Sequence, residues 1–350
     1  DEPALLAEQR IKDLIAAADV AARAAEARAD WIMANELFVR LNLLLEEKGT
    51  YKHDTRRLSQ RLTMINFYVP ERLWALRNAR RLDEGLKPLP PYNSSGEDFN
   101  ARLKGISSTV VLRGILAAAR SHIEKPTVRS LLVGGLDTIR TMTTTKDLEA
   151  AFPGIANPAG RDRFLAYLDG KINELKLAAS DPGPLGLTNL VDDLLAANND
   201  SVKIPDEGIL HELGNGAFDR LDEHSQYFWP DQLASLKRIT DGQFIGVGIQ
   251  IQSDEETQFI KVVAPLEGTP AFRAGIRAGD LIRKIDDRSA LGLGLSQAVD
   301  LITGKAGTPV TITVERKAQE LAFPLLREVI PLRTVKGWKR LGAREDQGDW

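Results

Sequence analysis

The sequence lacks cysteine over its 350 residues. This absence excludes disulfides, thiolate metal sites and cysteine nucleophiles. Histidine is also scarce, and no pair has the spacing of two zinc ligands. The four histidines are His53, His122, His211 and His224. No run of eighteen apolar residues occurs, so no transmembrane helix is predicted. We therefore expect no metal, no other cofactor and no membrane-spanning segment within this chain.

A strong net charge of either sign is missing as well. Lysine and arginine total 46, aspartate and glutamate total 49, and the formal net charge is −3. Such a balance gives no reason to expect nucleic acid or an anionic membrane as a partner. The basic pairs Arg56–Arg57 and Arg80–Arg81 are flanked by acids, and we interpret both as solvated helix faces.

Residues 1–87 are predicted to be helical. An alanine-rich run over residues 15–29 has strong helix propensity. The apolar residues after it recur at helical spacing and form one stripe. That stripe consists of Leu37, Phe38, Leu41, Leu44 and Leu45. Gly49 is predicted to end the helix. A tetratricopeptide-like hairpin and an ordinary helical bundle both stay open, because no clean period of about 34 residues is present.

The rest of the chain divides by composition. The stretch 88–98 is the clearest linker, because prolines are followed by serine, glycine and acids. Residues 99–241 are again predicted to be helical. From Gln243 the pattern changes to short β-rich runs, such as TPVTITVER, separated by the helical pieces TPAFRAG and LSQAVDLIT. The predicted fold class is α+β with several domains: an all-α N-terminal region, then a small β-barrel with two helices at residues 242–327.

The stretch EGTPAFRAGIRAGDLIRKIDDRSALGLGLSQAVDLITGKAGTPVTITVER at residues 267–316 resembles a PDZ domain. Pro270 is expected to start a short helix and Gly275 to end it. The resemblance implies a groove between a second helix and a sheet edge, where an extended peptide adds as a strand and its carboxylate meets backbone N–H groups. The residues predicted to bind the peptide are Phe244, Ile245, Gly246, Val247, Gly248, Ile249, Leu295, Ala298, Val299 and Ile302.

A second interpretation of these residues stays open. Gly246 and Gly248 suit a loop whose N–H groups converge on an anion, but they would equally allow a strand to bulge. Leu295 and Val299 suit the wall of a groove, but they would equally fill a core. The sequence pattern does not show which side of the second helix is open.

The decapeptide LDEHSQYFWP at residues 221–230 holds the side-chain types of a serine-hydrolase triad: Asp222, Glu223, His224 and Ser225. Adjacent residues diverge by about 100° on a helix and point to opposite faces of a strand, so His224 is badly placed to take a proton from Ser225. We predict a capped turn instead, in which Asp222 and Ser225 satisfy backbone N–H groups. The three aromatic residues that follow are expected to pack below this turn.

The decapeptide and the run QFIGVGIQI together indicate one family among the proteins that contain PDZ domains. Residues 218–251 resemble the segment before the PDZ strand in C-terminal processing peptidases, which are serine proteases with an inserted PDZ domain. Their pattern is Leu-Asp-x-His-Ser-x-Tyr followed by Gly-x-Phe-x-Gly-x-Gly-Ile, and Glu223 stands where the family more often has proline. The resemblance covers about residues 205–335 and leaves the helical residues 1–200 unmatched.

The resemblance implies a serine endopeptidase whose serine and lysine base lie in an α/β core after the PDZ domain. Residues 328–350 are expected to begin that core, and no position in them matches the serine or the lysine. We therefore assign no catalytic residue, and we expect the chain alone to bind peptides without hydrolysing them.

Further expectations concern partners and location. The expected partners are polypeptide C-termini or unfolded proteins, with self-association through the helical region as an additional expectation. By resemblance, the location is periplasmic or otherwise extracytoplasmic. The alternative function is a non-enzymatic PDZ adaptor whose helical arm binds a partner.

Overall fold

The chain folds into two compact units in the computed structural model. Residues 8–94, 98–222, 224–233, 243–254 and 257–331 are described. The helical unit consists of Asp1–Leu89 and Glu97–Asp231, and the sheet unit consists of Pro90–Gly96 and Gln232–Trp350. The predicted fold class, a helical region followed by a small β domain, is confirmed.

The helical unit is built from short helices with recognisable starts. Its helices are α1 (Gln9–Ala27), α2 (Trp31–Leu44), α3 (Lys52–Tyr68), α4 (Pro70–Asp83), α5 (Phe99–Leu103), α6 (Ser108–Ser121), α7 (Val128–Thr143), α8 (Pro158–Leu177), α9 (Pro184–Asn199) and α10 (Asp206–Phe218). Asp30 caps α2 by accepting from the Met33 amide at 3.2 Å, and Thr127 caps α7 by accepting from Ser130 at 3.1 Å.

Helices from both sides of the stretch 88–98 share one hydrophobic core. Phe38 and Ile65 lie before that stretch, Ile139 and Phe164 lie after it, and all four are completely buried in the same cluster. The predicted apolar stripe on α2 is wrong at one position, since Leu44 is 49% exposed. The helix ends there, and Gly49 terminates the 3₁₀ turn Glu46–Lys48 that follows.

The sheet unit is antiparallel. Its elements are β1 (Gln243–Gly246), β2 (Ile249–Ser253), β3 (Ile260–Pro265), α11 (Pro270–Ala274), β4 (Leu281–Ile285), β5 (Arg288–Ser289), α12 (Leu295–Ile302), β6 (Pro309–Arg316), β7 (Gln319–Leu326) and β8 (Glu328–Pro331). The main sheet has the order β2-β3-β4-β6-β7, with β5 on β4, while β1 and β8 form a separate pair. Strand β2 therefore lies at an edge of the main sheet.

The core of the sheet unit is closed by an ion pair. Strands β4 and β6 bury Ile282, Ile312 and Val314 completely. Asp280, only 1% exposed, accepts from Arg316 through both carboxylate oxygens, at 2.7 and 2.6 Å. The hydrogen bond to Asp280 also raises the pKa of Arg316 above its usual value. This fork holds the turn before β4 against the end of β6.

The stretch 88–98 also has partners in the sheet unit. The side chain of Asn93 donates to the carbonyls of Ser289 and Leu291, both at 2.9 Å. Of the protease core predicted for residues 328–350, the first four residues form β8, and residues 332–350 lie outside the described part.

Two features are absent among the described residues. No helix among them is long and apolar enough to cross a membrane. Within the same ranges, no group of three His, Asp or Glu side chains is arranged to hold a metal ion.

Candidate peptide-binding site

The outer edge of strand β2 is available for another strand. Ile249 is paired with Pro265 of β3, and the Leu266 amide donates to the Gly248 carbonyl at 2.8 Å. Residues 249 and 265 are therefore a non-hydrogen-bonded pair, so the N–H and C=O groups of Ile249 point away from β3. Because β2 ends the sheet, those groups face the open edge.

The loop between β1 and β2 is held from one side. The Val247 carbonyl accepts from the Ala271 amide at 3.0 Å, and the Gly248 carbonyl accepts from the Thr269 hydroxyl at 3.1 Å. Gly248 has φ +75°, and a Cβ atom there would overlap the side chain of Thr269. Only glycine fits this conformation without strain, so the loop depends on it.

The amides of the loop face the opposite side. Every peptide bond in the described chain is trans, so the Gly248 N–H points opposite to the Val247 carbonyl, and the Ile249 N–H opposite to the Gly248 carbonyl. Among the described residues, no acceptor is bound to the Val247 or Gly248 amide. The donors of residues 248 and 249 thus point to the open edge, and the Val247 amide lies next to them in the same loop, which is the pattern of a backbone anion site.

Helix α12 presents an apolar stripe. Ala298 and Ile302 are buried in the core of the sheet unit, at 0% and 4% exposure, whereas Leu295 and Val299 are 41% and 38% exposed. Residues four apart lie on the same helix face, one turn from each other. Leu295 and Val299 therefore form an exposed stripe and do not fill the core.

The C-terminal end of α12 lies by the amide-bearing loop. A methyl carbon of Thr303, one turn beyond Val299, lies 3.5 Å from the position that a Cβ on Gly246 would occupy. Arg327 donates to the carbonyls of Leu301 at 2.8 Å and Ile302 at 2.9 Å. A cation that satisfies the last carbonyls of a helix stabilises that end.

Sequence reasoning missed three residues that shape this region: Thr269, Thr303 and Arg327. Arg327 lies 25 positions beyond the carbonyl of Ile302 that it binds, and Thr269 lies 21 positions beyond Gly248. No local pattern connects residues at such separations. The signal available was the Thr-Pro start of α11, which marks Thr269 as the residue before a helix.

The ten predicted binding residues fall into four groups in the structure. Gly246, Val247, Gly248 and Ile249 form the loop and the start of β2, and Leu295 and Val299 form the exposed stripe. Phe244 and Ile245 are half-buried in β1, paired with Ile330 and Val329, while Ala298 and Ile302 belong to the core. Their roles in peptide binding stay predictions.

The decapeptide at residues 221–230 forms a turn at Asp222. The Asp222 carboxylate accepts from the His224 amide at 2.9 Å and lies 3.0 Å from His122 Nε2. A hydrogen bond from Ser225 holds the pKa of Asp222 below its usual range. The predicted capping by Asp222 is confirmed, and Glu223 lies outside the described residues.

The aromatic residues after this turn pack unequally. Tyr227 donates to the Val110 carbonyl at 2.9 Å, and Trp229, 3% exposed, donates to Asn215 at 2.8 Å. The expectation that all three aromatic rings pack below the turn is wrong for Phe228, which is 39% exposed. In an extended run the middle residue points away from its neighbours.

The sheet unit is similar to known PDZ domains. Residues 261–316 match the family model of the PDZ domain. A solved PDZ domain of a carboxy-terminal protease from Vibrio cholerae, in complex with peptide, aligns over 26% of this chain and 99% of that chain, with 22% identity and a TM-score of 0.24. The PDZ assignment rests on the family match and on the strand order described above.

Curated relatives extend the similarity. A carboxy-terminal-processing protease of Bartonella bacilliformis is 40% identical over 138 residues, which are 39% of this chain and 31% of the relative. A probable CtpA-like serine protease of Staphylococcus haemolyticus is 33% identical over 145 residues, 41% of this chain and 29% of the relative. The chain thus spans about three tenths of the length of these relatives. It contains a PDZ domain, and the predicted resemblance to the C-terminal processing proteases is confirmed.

Proposed function

We propose that this chain is the helical and PDZ portion of a C-terminal processing serine peptidase, and that its PDZ groove captures the C-termini of polypeptide substrates. The observation that supports this most directly is the set of amides of Val247, Gly248 and Ile249. They lie at one end of an open strand edge, and the amides of Gly248 and Ile249 face away from the segment that fixes the loop. A terminal carboxylate placed there would accept their hydrogen bonds while the peptide adds to β2 as a strand.

The stripe on α12 supports an apolar ligand. An extended peptide on β2 places alternate side chains toward α12, because strand side chains alternate between faces. The exposed stripe on α12, Leu295 and Val299, is apolar. Each would bury more of its surface against an apolar ligand residue than against a polar one. The favoured substrate therefore ends in apolar residues at alternate positions.

The names of the relatives support the protease over the adaptor. Both curated relatives above carry names of proteases, and neither name describes an adaptor. Under this proposal, hydrolysis takes place in a protease core that uses a serine and a lysine base. The substrates are polypeptide C-termini or unfolded proteins, the location is outside the cytoplasm, and self-association would use the helical unit.

Carboxylate capture is tested by titrating the 350-residue chain with a peptide that ends in apolar residues and with its C-terminally amidated twin. Loss of the charged hydrogen bonds is expected to weaken the amidated peptide by about tenfold or more, measured by calorimetry. Equal affinity for the two peptides would contradict the proposal.

The stripe on α12 is tested by the variant Val299→Ser, with Val263→Ser as its control. Val263 lies on β3 and is 37% exposed, close to the 38% of Val299, but it lies outside the stripe. Val299→Ser is expected to lower the affinity for the peptide about tenfold through lost apolar contact. Val263→Ser is expected to leave the affinity unchanged. Weakening by both variants to the same extent would refute the assignment of the groove.

A further inference from the structure

A cationic cavity lies in the helical unit. It is lined by residues of α3, by residues of α7 and by the residue two positions after α10. The charged side chains in its wall are His53, Arg56, Arg57, Arg140, Arg220 and Asp137. One carboxylate therefore faces four guanidinium groups. The basic pair Arg56–Arg57, interpreted from sequence as a solvated helix face, lies instead in the wall of this cavity.

Three of the four arginines have acidic partners. Arg57 donates to Glu26 at 3.0 Å and to Asp54 at 2.9 Å. The other two use only one part of their guanidinium groups. Arg140 donates to Asp169 through Nε at 2.8 Å, and Arg220 donates to Asp137 through one terminal nitrogen at 2.6 Å. Each guanidinium carries five N–H donors, so both keep donors for another acceptor.

Arg56 differs from the other three. It is half-buried, and among the described residues its guanidinium has no hydrogen bond and no ion pair. Burial and the positive charge of Arg220 lower the pKa of Arg56, opposed by Asp219 and Asp137. A half-buried cation without a partner is costly, because part of its hydration is lost and nothing replaces it.

The wall of the cavity also depends on a glycine. The side chain of Arg220 crosses α7 directly over Gly134, and a Cβ atom on Gly134 would lie 2.5 Å from Cγ and 3.0 Å from Nε of Arg220. The same Cβ atom would overlap the Gly216 carbonyl oxygen, so any larger residue at position 134 would displace α10 as well as Arg220. The absence of a side chain at this helix position therefore lets Arg220 lie close to α7 and face Arg56 and Arg140.

We propose that this cavity binds a small oxyanion, with phosphate as the type case, between Arg56, Arg140 and Arg220. The cavity volume is about 30 Å³. One water requires roughly 10–15 Å³ by the same measure, so the occupant of the cavity has only a few heavy atoms. An oxyanion accepts from several guanidinium groups at once and supplies Arg56 with the partner that no described residue provides. A cation would be repelled by the four arginines.

The experiment titrates inorganic phosphate into the 350-residue chain by calorimetry, at constant ionic strength balanced with chloride. Saturable binding at one site is expected for the native chain. Arg56→Gln is expected to lower the affinity for phosphate about tenfold, the effect of losing one charged hydrogen bond. Arg56→Lys is expected to lower the affinity less. Because Arg56 has no partner in the described chain, both variants are expected to keep the native circular dichroism spectrum.

The control is Arg113→Gln, which removes the same charge from an exposed position on α6. This variant is expected to bind phosphate as the native chain does. Heats equal to those of chloride, or the same affinity in Arg56→Gln as in the native chain, would overturn the proposal. A second titration uses phosphatidylglycerol vesicles at the same total phosphate. Binding to the vesicles without binding to free phosphate would also overturn it.

Discussion

The two units of this chain use arginine differently. Inside the helical unit, arginines bind other side chains: Arg57 binds Glu26, and Arg61 donates to the Thr145 hydroxyl at 3.0 Å. In the sheet unit, arginines pair with acids as well, as Arg316 does with Asp280, but they also bind several backbone carbonyls. Arg327 donates to three carbonyls, at 2.7 to 2.9 Å, and Arg316 donates to the carbonyl of Gly275 at 2.8 Å.

The difference follows from the backbone. A helix satisfies its own carbonyls except in the last turn, so a buried arginine inside a helical bundle finds only side-chain acceptors. Short strands joined by loops leave carbonyls exposed, and arginine reaches them. The helical unit uses the same device where helices end, since Arg163 donates at 3.3 Å to the carbonyl of Asp200, the cap of α9. Irregular backbone, and not the type of unit, therefore decides where arginine binds carbonyls.

The largest loss of stability is expected for Arg316→Ala, in the sheet unit. This change leaves the carboxylate of Asp280, 1% exposed, buried without its cation. Removing one partner of a buried pair costs about 3 kcal/mol or more. Hydrogen exchange of the amides of β4 and β6, measured by mass spectrometry, is expected to become about a hundredfold faster.

Its control is Arg288→Ala, in the same unit. Arg288 is exposed on β5. An exposed substitution of this kind is expected to change stability by less than about 0.5 kcal/mol. If both variants exchange at the native rate, the fork between Arg316 and Asp280 does not stabilise the sheet unit.

The next largest effect is expected for Glu26→Gln in the helical unit. Burial raises the pKa of Glu26, hydrogen bonds and charges from Arg57 and Arg61 lower it, and the net shift is downward. Glu26 therefore stabilises the fold above its unfolded pKa of about 4.3, and this contribution is lost as the pH falls through the folded pKa. At pH 7 the variant is expected to lose about 2 kcal/mol of the free energy of unfolding.

Urea unfolding followed by circular dichroism, from neutral pH to about pH 3, tests the sign. The difference between the native chain and Glu26→Gln is expected to shrink as the pH falls. Glu71→Gln, at an exposed position in the first turn of α4, serves as the control and is expected to show a small difference at all pH values. A difference for Glu26→Gln that grows toward low pH would contradict this account.

The sequence predicted the elements of the sheet unit well, because their ends carry local signals. Pro270 begins α11 and Gly275, with φ +88°, ends it, as the resemblance implied. Strands β4 and β6 follow from clusters of β-branched and apolar residues. The loop glycines and helix α12 lie far apart in the sequence, so only the resemblance to a PDZ domain combined their residues into one predicted groove.

What the sequence did not predict depends on distant pairs. That Leu295 and Val299 are exposed while Ala298 is buried follows from where the sheet packs, which helical periodicity does not show. The sharing of one core by helices before and after residues 88–98 depends on contacts such as Arg61 with Thr145, 84 positions apart. For the same reason, the sequence did not predict that Arg56 has no hydrogen bond or ion pair among the described residues.

The smallest loss of stability is expected for Arg327→Met. This change keeps the apolar stem of the side chain and removes only its hydrogen-bond donors. The carbonyls of Leu301 and Ile302 lose their cation, but water reaches this half-buried site, so the expected loss is about 1 kcal/mol. Hydrogen exchange at the end of α12 reports the loss. Arg40→Met removes an exposed ion pair to Glu36 on α2 and is expected to cost less than about 0.5 kcal/mol. If the two variants cost the same, binding of arginine to backbone carbonyls gives the sheet unit no more stability than a surface ion pair gives the helical unit.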